Sequence, residues 1–168
     1  KVEVVRGAAS LQYGPQFGGM LNFVMKEGSD SAKLEVESIQ TLGSYGFYNS
    51  YNAVGGTTGR FKYYAFFLYR LGKCWRCNSD FDNYTAYAGL RYTSKKGTSI
   101  KAEYTRMWYL AQQAGGLTDS QFEQDAQQAL RDRNWFRVKW NIMSLSLKHE
   151  FSSATRLDFR AFGLLASR

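Results

Sequence analysis

Few side chains in this chain are equipped for chemistry, and their spacing limits what they can do. Cys74-Trp75-Arg76-Cys77 puts two thiols three residues apart. Such a pair serves redox exchange when it sits at a βαβ unit, and no such unit surrounds it. A zinc site would need two more ligands, and the sole histidine, His149, lies far along the chain. The remaining reading is a Cys74–Cys77 disulfide that staples an exposed loop, which suits an oxidising compartment. With one histidine, no Ser-His-Asp arrangement can be assembled. The carboxylates Glu103 and Glu150, or Asp119 and Asp125, carry no sign of convergence. The glycines of Gly14-Pro15-Gln16-Phe17-Gly18-Gly19 lack the spacing and the following GK[ST] of a phosphate loop. The chain reads as no enzyme, with no metal site and no cofactor.

The elements that would position these residues follow from composition and period. Among 168 residues there are 12 Tyr, 12 Phe and 4 Trp, 16 Gly and a single Pro; hydrophobic residues are 44 %, yet mean hydropathy is −0.44. Apolar residues are therefore diluted by polar ones at short range, as alternation produces. No run reaches the ~18 apolar residues of a membrane helix, but a transmembrane strand needs only every second residue to be apolar. The net charge of +8 is spread along the chain rather than gathered in a stripe. With no nucleic-acid motif present, it suits an anionic solute better than nucleic acid.

Residues 2–6 read as a short strand, 9–13 as one helical turn and 19–26 as another alternating strand, followed by the polar linker 27–31. Seven strands are predicted beyond it, near 32–43, 45–55, 60–72, 81–93, 98–111, 135–151 and 155–167. Gly55-Gly56-Thr57-Thr58-Gly59 reads as a tight turn. The alternation is clearest in 98–111, where Ile100, Ala102, Tyr104, Trp108 and Leu110 share a face that Arg106 interrupts. Successive strand side chains point to opposite sides. Tyr84, Ala86, Ala88, Leu90 and Tyr92 form an equivalent face in 81–93. The links after the second, fourth and sixth of these strands are short, and 73–80 and 112–134 are long. Membrane barrels show this asymmetry, with short periplasmic turns and long outer loops. Thr118-Asp119-Ser120-Gln121 has the form of a capping box, which predicts a helix over 119–130.

Val2-Glu3-Val4, Arg6-Gly7, Tyr13-Gly14, Gly18-Gly19 and Asn22 to Lys26 together resemble the end of the plug domain of TonB-dependent outer-membrane receptors. The pattern departs from the family at Ala8, where proline is frequent, and at Pro15, where a small residue is usual. The stretch from Gly115 to Phe136 resembles an outer loop of receptors for ferric dicitrate. The resemblance implies an all-β architecture: 1–27 as the end of the plug, 28–31 as a linker, and 32–168 as about seven antiparallel strands of a 22-stranded barrel. It implies an internal piece of a larger receptor in the bacterial outer membrane. The activity implied is active uptake of ferric citrate or another siderophore, driven by the TonB energy-coupling complex through an N-terminal segment. A cobalamin-like solute, or a soluble β-rich binding or adhesion domain, is the alternative.

By position in that family, Glu3 and Arg6 are expected to contact the barrel wall. Arg131, Arg133 and Asn134, with Gln112 and Gln113 opposite, are the expected ligand contacts. Guanidinium forks match carboxylate oxygens in bidentate pairs.

Overall fold

The computed structural model describes residues 1–5, 19–73 and 75–168. The protein is all-β, and one short helix is found among the described residues. β1 (Val2–Val5) and β2 (Met20–Phe23) form a two-stranded antiparallel sheet. The other seven strands are β3 (Glu35–Gly43), β4 (Phe47–Thr58), β5 (Phe61–Gly72), β6 (Phe81–Thr93), β7 (Thr98–Gln112), β8 (Trp135–Glu150) and β9 (Arg156–Ser167). They make one antiparallel sheet in sequence order, each strand paired with the next.

The predicted strand positions hold to within a few residues, because period-two patterning and turn residues act locally. Two expectations need correction. Gly55 and Gly56 lie inside β4, and the chain turns at Gly59, where φ is +60°. These two glycines serve close packing: a Cβ on Gly56 would sit 2.2 Å from the Lys33 carbonyl oxygen, and one on Gly55 would sit 2.7 Å from the Tyr64 ring. The helix α1 spans Asp119–Gln124, not 119–130. Its start is the expected capping box at Thr118 and Gln121. It stops because Asp125 is extended and its carboxylate accepts the Gln127 N–H at 2.8 Å, the local alternative that aspartate offers to helical bonding. The helical turn expected at 9–13 lies outside the described residues.

Register divides the large sheet into two faces. One is covered by the segment 24–33 and bears Ala53, Tyr64, Tyr87, Arg91, Lys101 and Glu103. The other is bare and bears Phe67, Ala88, Leu90, Ala102 and Leu145. The core is small. Ala53, Tyr64 and Tyr87 form its centre, with Tyr51, Phe66 and Met25 packed against them. Total accessible surface is 11943 Å² for 19.2 kDa, whereas a compact soluble monomer of that mass would show roughly 8,400 Å². The excess arises because a single-layer sheet leaves one whole face without an opposing layer, where a soluble domain stacks two.

Candidate functional site

Two regions concentrate polar function, one on the covered face and one at the end where the long links lie.

On the covered face, the strap 24–33 is held by ions and by backbone fit. Gly28 is buried against β4; a Cβ there would come within 2.2 Å of the Tyr63 carbonyl oxygen and 2.5 Å of the Gly56 nitrogen. Only glycine allows that approach. Beyond it, Thr57 donates its N–H to the Ala32 carbonyl at 2.9 Å and its hydroxyl to the Ser29 carbonyl at 2.7 Å. At the strap's far end Tyr63, from the other face, donates to the Lys33 carbonyl at 2.8 Å. Lys26 meets Glu37 at 2.9 Å and lies 5.6 Å from the centre of the Tyr64 ring. Asp30 meets Lys62 at 2.6 Å.

Glu27 is the hub. Its carboxylate accepts from Arg91 at 2.5 Å and from Lys101 at 3.2 Å. Lys101 also meets Glu103 at 2.7 Å. Glu103 in turn accepts from the Tyr87 hydroxyl at 2.7 Å and the Ser144 hydroxyl at 3.1 Å. Burial pushes the Glu27 carboxyl up. The hydrogen bonds from Arg91 and Lys101, reinforced by their charges, outweigh that and leave it below the usual carboxylate range. The network ties β6, β7 and β8 to the strap. Each charge has an opposite partner, which is what permits partly buried ions.

A cleft of about 390 Å³ separates the two-stranded sheet from this wall; Glu3 and Asn22 border it on one side, Lys148 and Arg160 on the other. Glu3 pairs with Lys1 at 3.0 Å and accepts from Asn22 at 2.9 Å, partners within its own sheet. Arg6 lies outside the described residues. The anchors that sequence reasoning passed over are Lys26, Glu27 and Asp30. Their signal was a lysine closing the strand read at 19–26 and two acidic residues in a linker read only as polar.

At the other end, the loops 73–80 and 113–134 are locked together. Arg76 donates through Nε and Nη2 to the Gln128 carbonyl at 3.0 and 2.7 Å. Asn78 donates to the carbonyls of Gln113 and Arg131 at 3.2 and 2.7 Å. Gln113 donates its N–H to the Asn134 carbonyl at 2.9 Å. Gln112 uses its side-chain oxygen to accept the Asp80 N–H at 3.1 Å. The expected residues Gln112, Gln113, Arg131, Arg133 and Asn134 are thus gathered at one root. Arg131 and Arg133 are exposed, while Gln112 is half-buried and engaged. The Arg131 stem lies close over Gly115, whose φ is +86°. Cys77 is exposed; Cys74 lies outside the described residues, and so does the expected pairing of the two.

His149 sits at the opposite end. Its Nδ1 is 2.8 Å from the Thr98 hydroxyl, and its ring stands edge-on to Phe151 at 4.3 Å. Among the described residues no three His, Cys, Asp or Glu side chains are grouped to hold a metal.

The bare face carries two rows of rings. Near the short turns, Phe61 packs on Tyr92 at 5.1 Å, with Tyr63 beside them. Toward the long loops, Phe67, Tyr84 and Trp108 stack in sequence at 6.3 and 5.4 Å, and Tyr48 meets Tyr69 at 6.4 Å. Between the rows lie Ala65, Ala88, Leu90, Ala102, Met143 and Leu145. Tyr92 and Tyr84 are eight residues apart on β6, so the rows are separated by about 27 Å along the strand, or about 20 Å in height if the strands tilt as in membrane barrels.

No protein-family model matches the chain, and no curated protein matches it.

Proposed function

We propose that this chain is the end of a plug domain followed by seven strands of a TonB-dependent outer-membrane receptor, and that the receptor takes up a ferric chelate, ferric dicitrate or a similar siderophore. One observation carries the reading. The sheet has an apolar face bounded by two aromatic rows at about the spacing of a ~25 Å lipid-facing band, while its other face carries the paired ions and is covered in part by the segment that enters from the two-stranded sheet. A soluble sandwich would reverse this, burying the apolar face under a second sheet.

In this reading the short turns at 59–60, 94–97 and 151–155 are periplasmic, and the loops 73–80 and 113–134 face outward. Arg131 and Arg133, exposed at the root of the outer loop, present forked donors to a citrate carboxylate. The strap 24–33 joins plug to wall, and the Glu27 network holds it while the plug is drawn upon by the energy-coupling complex.

A second solute class has its own support. On the covered face at the long-loop end, Trp140 and Ile142 of β8 lie beside Leu164 and Ala166 of β9, with Phe162 next in line. That apolar shelf suits a larger, partly apolar solute of the cobalamin kind.

The test is direct. Mass spectrometry of outer-membrane proteins from the source, tracked through a peptide of 119–131, should place this sequence in a polypeptide several-fold heavier than 19.2 kDa. Ferric dicitrate and cyanocobalamin are then titrated against that protein in detergent. Arg131→Gln with Arg133→Gln should weaken ferric dicitrate about tenfold. Recovery of the sequence from the soluble fraction, in a form needing no detergent, would sink the membrane reading. Tight cobalamin binding with no response to ferric dicitrate would move the solute to the second class.

A further inference from the structure

The bare face has a sparse and uneven charge distribution. Along the seven strands its cations are Arg106 on β7 and Arg137 and Lys139 on β8, all toward the long loops. Register makes them neighbours. Arg106 stands opposite Asn141, and Lys139 stands opposite Trp108, so Arg106 and Lys139 are diagonal, and Arg137 is two residues from Lys139 on the same strand. Such positions are roughly 6–8 Å apart.

All three side chains are exposed, and none has a carboxylate partner among the ion pairs of the described residues. The contrast with the covered face is sharp, since the cations of its network, Arg91 and Lys101, each have one. Arg106 stands instead between Ala86 and Asn141, with Tyr84 diagonal to it and Tyr104 two residues away on its own strand. Tyr104 donates to Asn141 at 2.8 Å. The residues directly across from Arg106 are thus neutral, and no carboxylate among the described residues pairs with it.

The surroundings define the depth. The same rungs carry Tyr84 and Trp108 of the outer aromatic row and, across the sheet, a polar patch. In that patch Ser38 donates to Asn52 at 2.8 Å and Tyr48 donates to Gln40 at 3.0 Å. One rung nearer the short turns the face is apolar. A cation facing lipid at the midplane costs about 2–4 kcal/mol and at the interface about 0–1. Three cations side by side at an interface also repel one another, unless an anion sits among them.

We propose that Arg106, Arg137 and Lys139 bind the phosphate of a phosphorylated lipid headgroup in the leaflet on the long-loop side, with its acyl chains lying along Ala102, Met143, Leu145 and Ala161. The proposal rests on the membrane reading above. Charge complementarity, and the continuity of the cations with the apolar band, single out a phosphorylated lipid over a soluble anion, which would gain nothing from that band.

The test uses the full-length protein that contains this chain, purified in dodecyl maltoside. Binding of diphosphoryl lipid A in mixed micelles is measured by native mass spectrometry, with phosphatidylcholine as the neutral comparison and inorganic phosphate as the soluble competitor. Near a membrane surface each basic residue contributes about a fivefold effect, so Arg137→Gln with Lys139→Gln should weaken lipid A binding about thirtyfold. Lys95→Gln with Lys96→Gln, the same charge loss in a short turn at the other end, should leave it unchanged. Equal loss in both pairs, no loss in the first, or displacement by millimolar phosphate would each overturn the proposal. Circular dichroism of the variants separates loss of binding from loss of fold. If the protein stays soluble and monomeric without detergent, the membrane reading itself has failed; if it needs detergent and the first pair binds normally, only the lipid site has failed.

Discussion

The two faces of the seven-stranded sheet are built from the same strands by opposite rules. On the covered face, ionic groups sit close together and are paired: Glu27 with Arg91 and Lys101, Glu103 with Lys101, Tyr87 and Ser144, Lys26 with Glu37. On the bare face, ionic groups are few and confined to the long-loop end, and the middle is alanine, leucine and methionine around the uncharged Tyr104. The difference shows where each face finds its compensation. The covered face is satisfied by the chain's own strap, so its contacts are specific and polar. The bare face has no partner within the chain and is shaped for a medium rather than for a surface.

The largest effect that separates the faces should come from charge placed in the middle of the bare one. Ala102→Arg is expected to destabilise the protein in phosphatidylcholine vesicles by about 2–4 kcal/mol, measured by urea unfolding. Ala86→Arg makes the same change opposite Arg106 and one rung from the Tyr84–Trp108 stack. It should cost about 1 kcal/mol or less. Equal costs at the two depths would erase the distinction between band and boundary.

The strap offers the next test. Gly28→Val drives a Cβ into three backbone atoms of β4 and β5 within 2.6 Å, and backbone cannot swing aside as a side chain can. A loss of about 3 kcal/mol is expected. Gly116→Val, where nothing lies within 4 Å, should be close to neutral by the same measurement.

A smaller effect is expected within the ion network. Glu103→Ala leaves the Tyr87 hydroxyl and the Lys101 ammonium without an acceptor they now share, at a cost of about 2 kcal/mol. Tyr87→Phe added to Glu103→Ala should cost little more, because the interaction is already gone. Additive losses would mean that the two groups are not coupled.

The smallest effect is a pH dependence centred on Glu27. Its folded carboxyl titrates below its ordinary 4.5, so the stabilisation is fully present above that value. It is lost as the pH falls through the lower, folded one. Amide exchange of residues 27–33, corrected for its intrinsic pH dependence, should therefore accelerate on acidification. Glu27→Gln should remove that acceleration. A strap that stays equally protected in acid would place its anchorage in Gly28 and the backbone bonds alone.

Much of this architecture was legible one strand at a time. Period-two patterning put Ala102 and Leu110 on one face and Lys101 and Glu103 on the other. Gly97 and Gly46 sit at turns with φ of +74° and +61°, and the capping box of Thr118 and Gln121 set the start of α1. That the two ends of the long loop meet was legible, since Gln112 and Gln113 do lie beside Arg131 and Asn134. Their mutual locking through Asn78 and Arg76 was not, because those bonds end on backbone carbonyls that no side-chain pattern records.

The sequence by itself determined strand positions, the two faces, the alternation of short and long links, and the rings at the strand ends. All of these are set by neighbours within a few residues, where stereochemistry and turn preference act. Only the tertiary structure decided that Gly55 and Gly56 are contact surfaces rather than a turn. It also decided that Glu27 reaches Arg91 across 64 residues, and that the three bare-face cations lie side by side. Those outcomes depend on register between strands and on the path of the strap. Both are fixed by which backbones can approach and which charges find partners, not by the local pattern of any one segment.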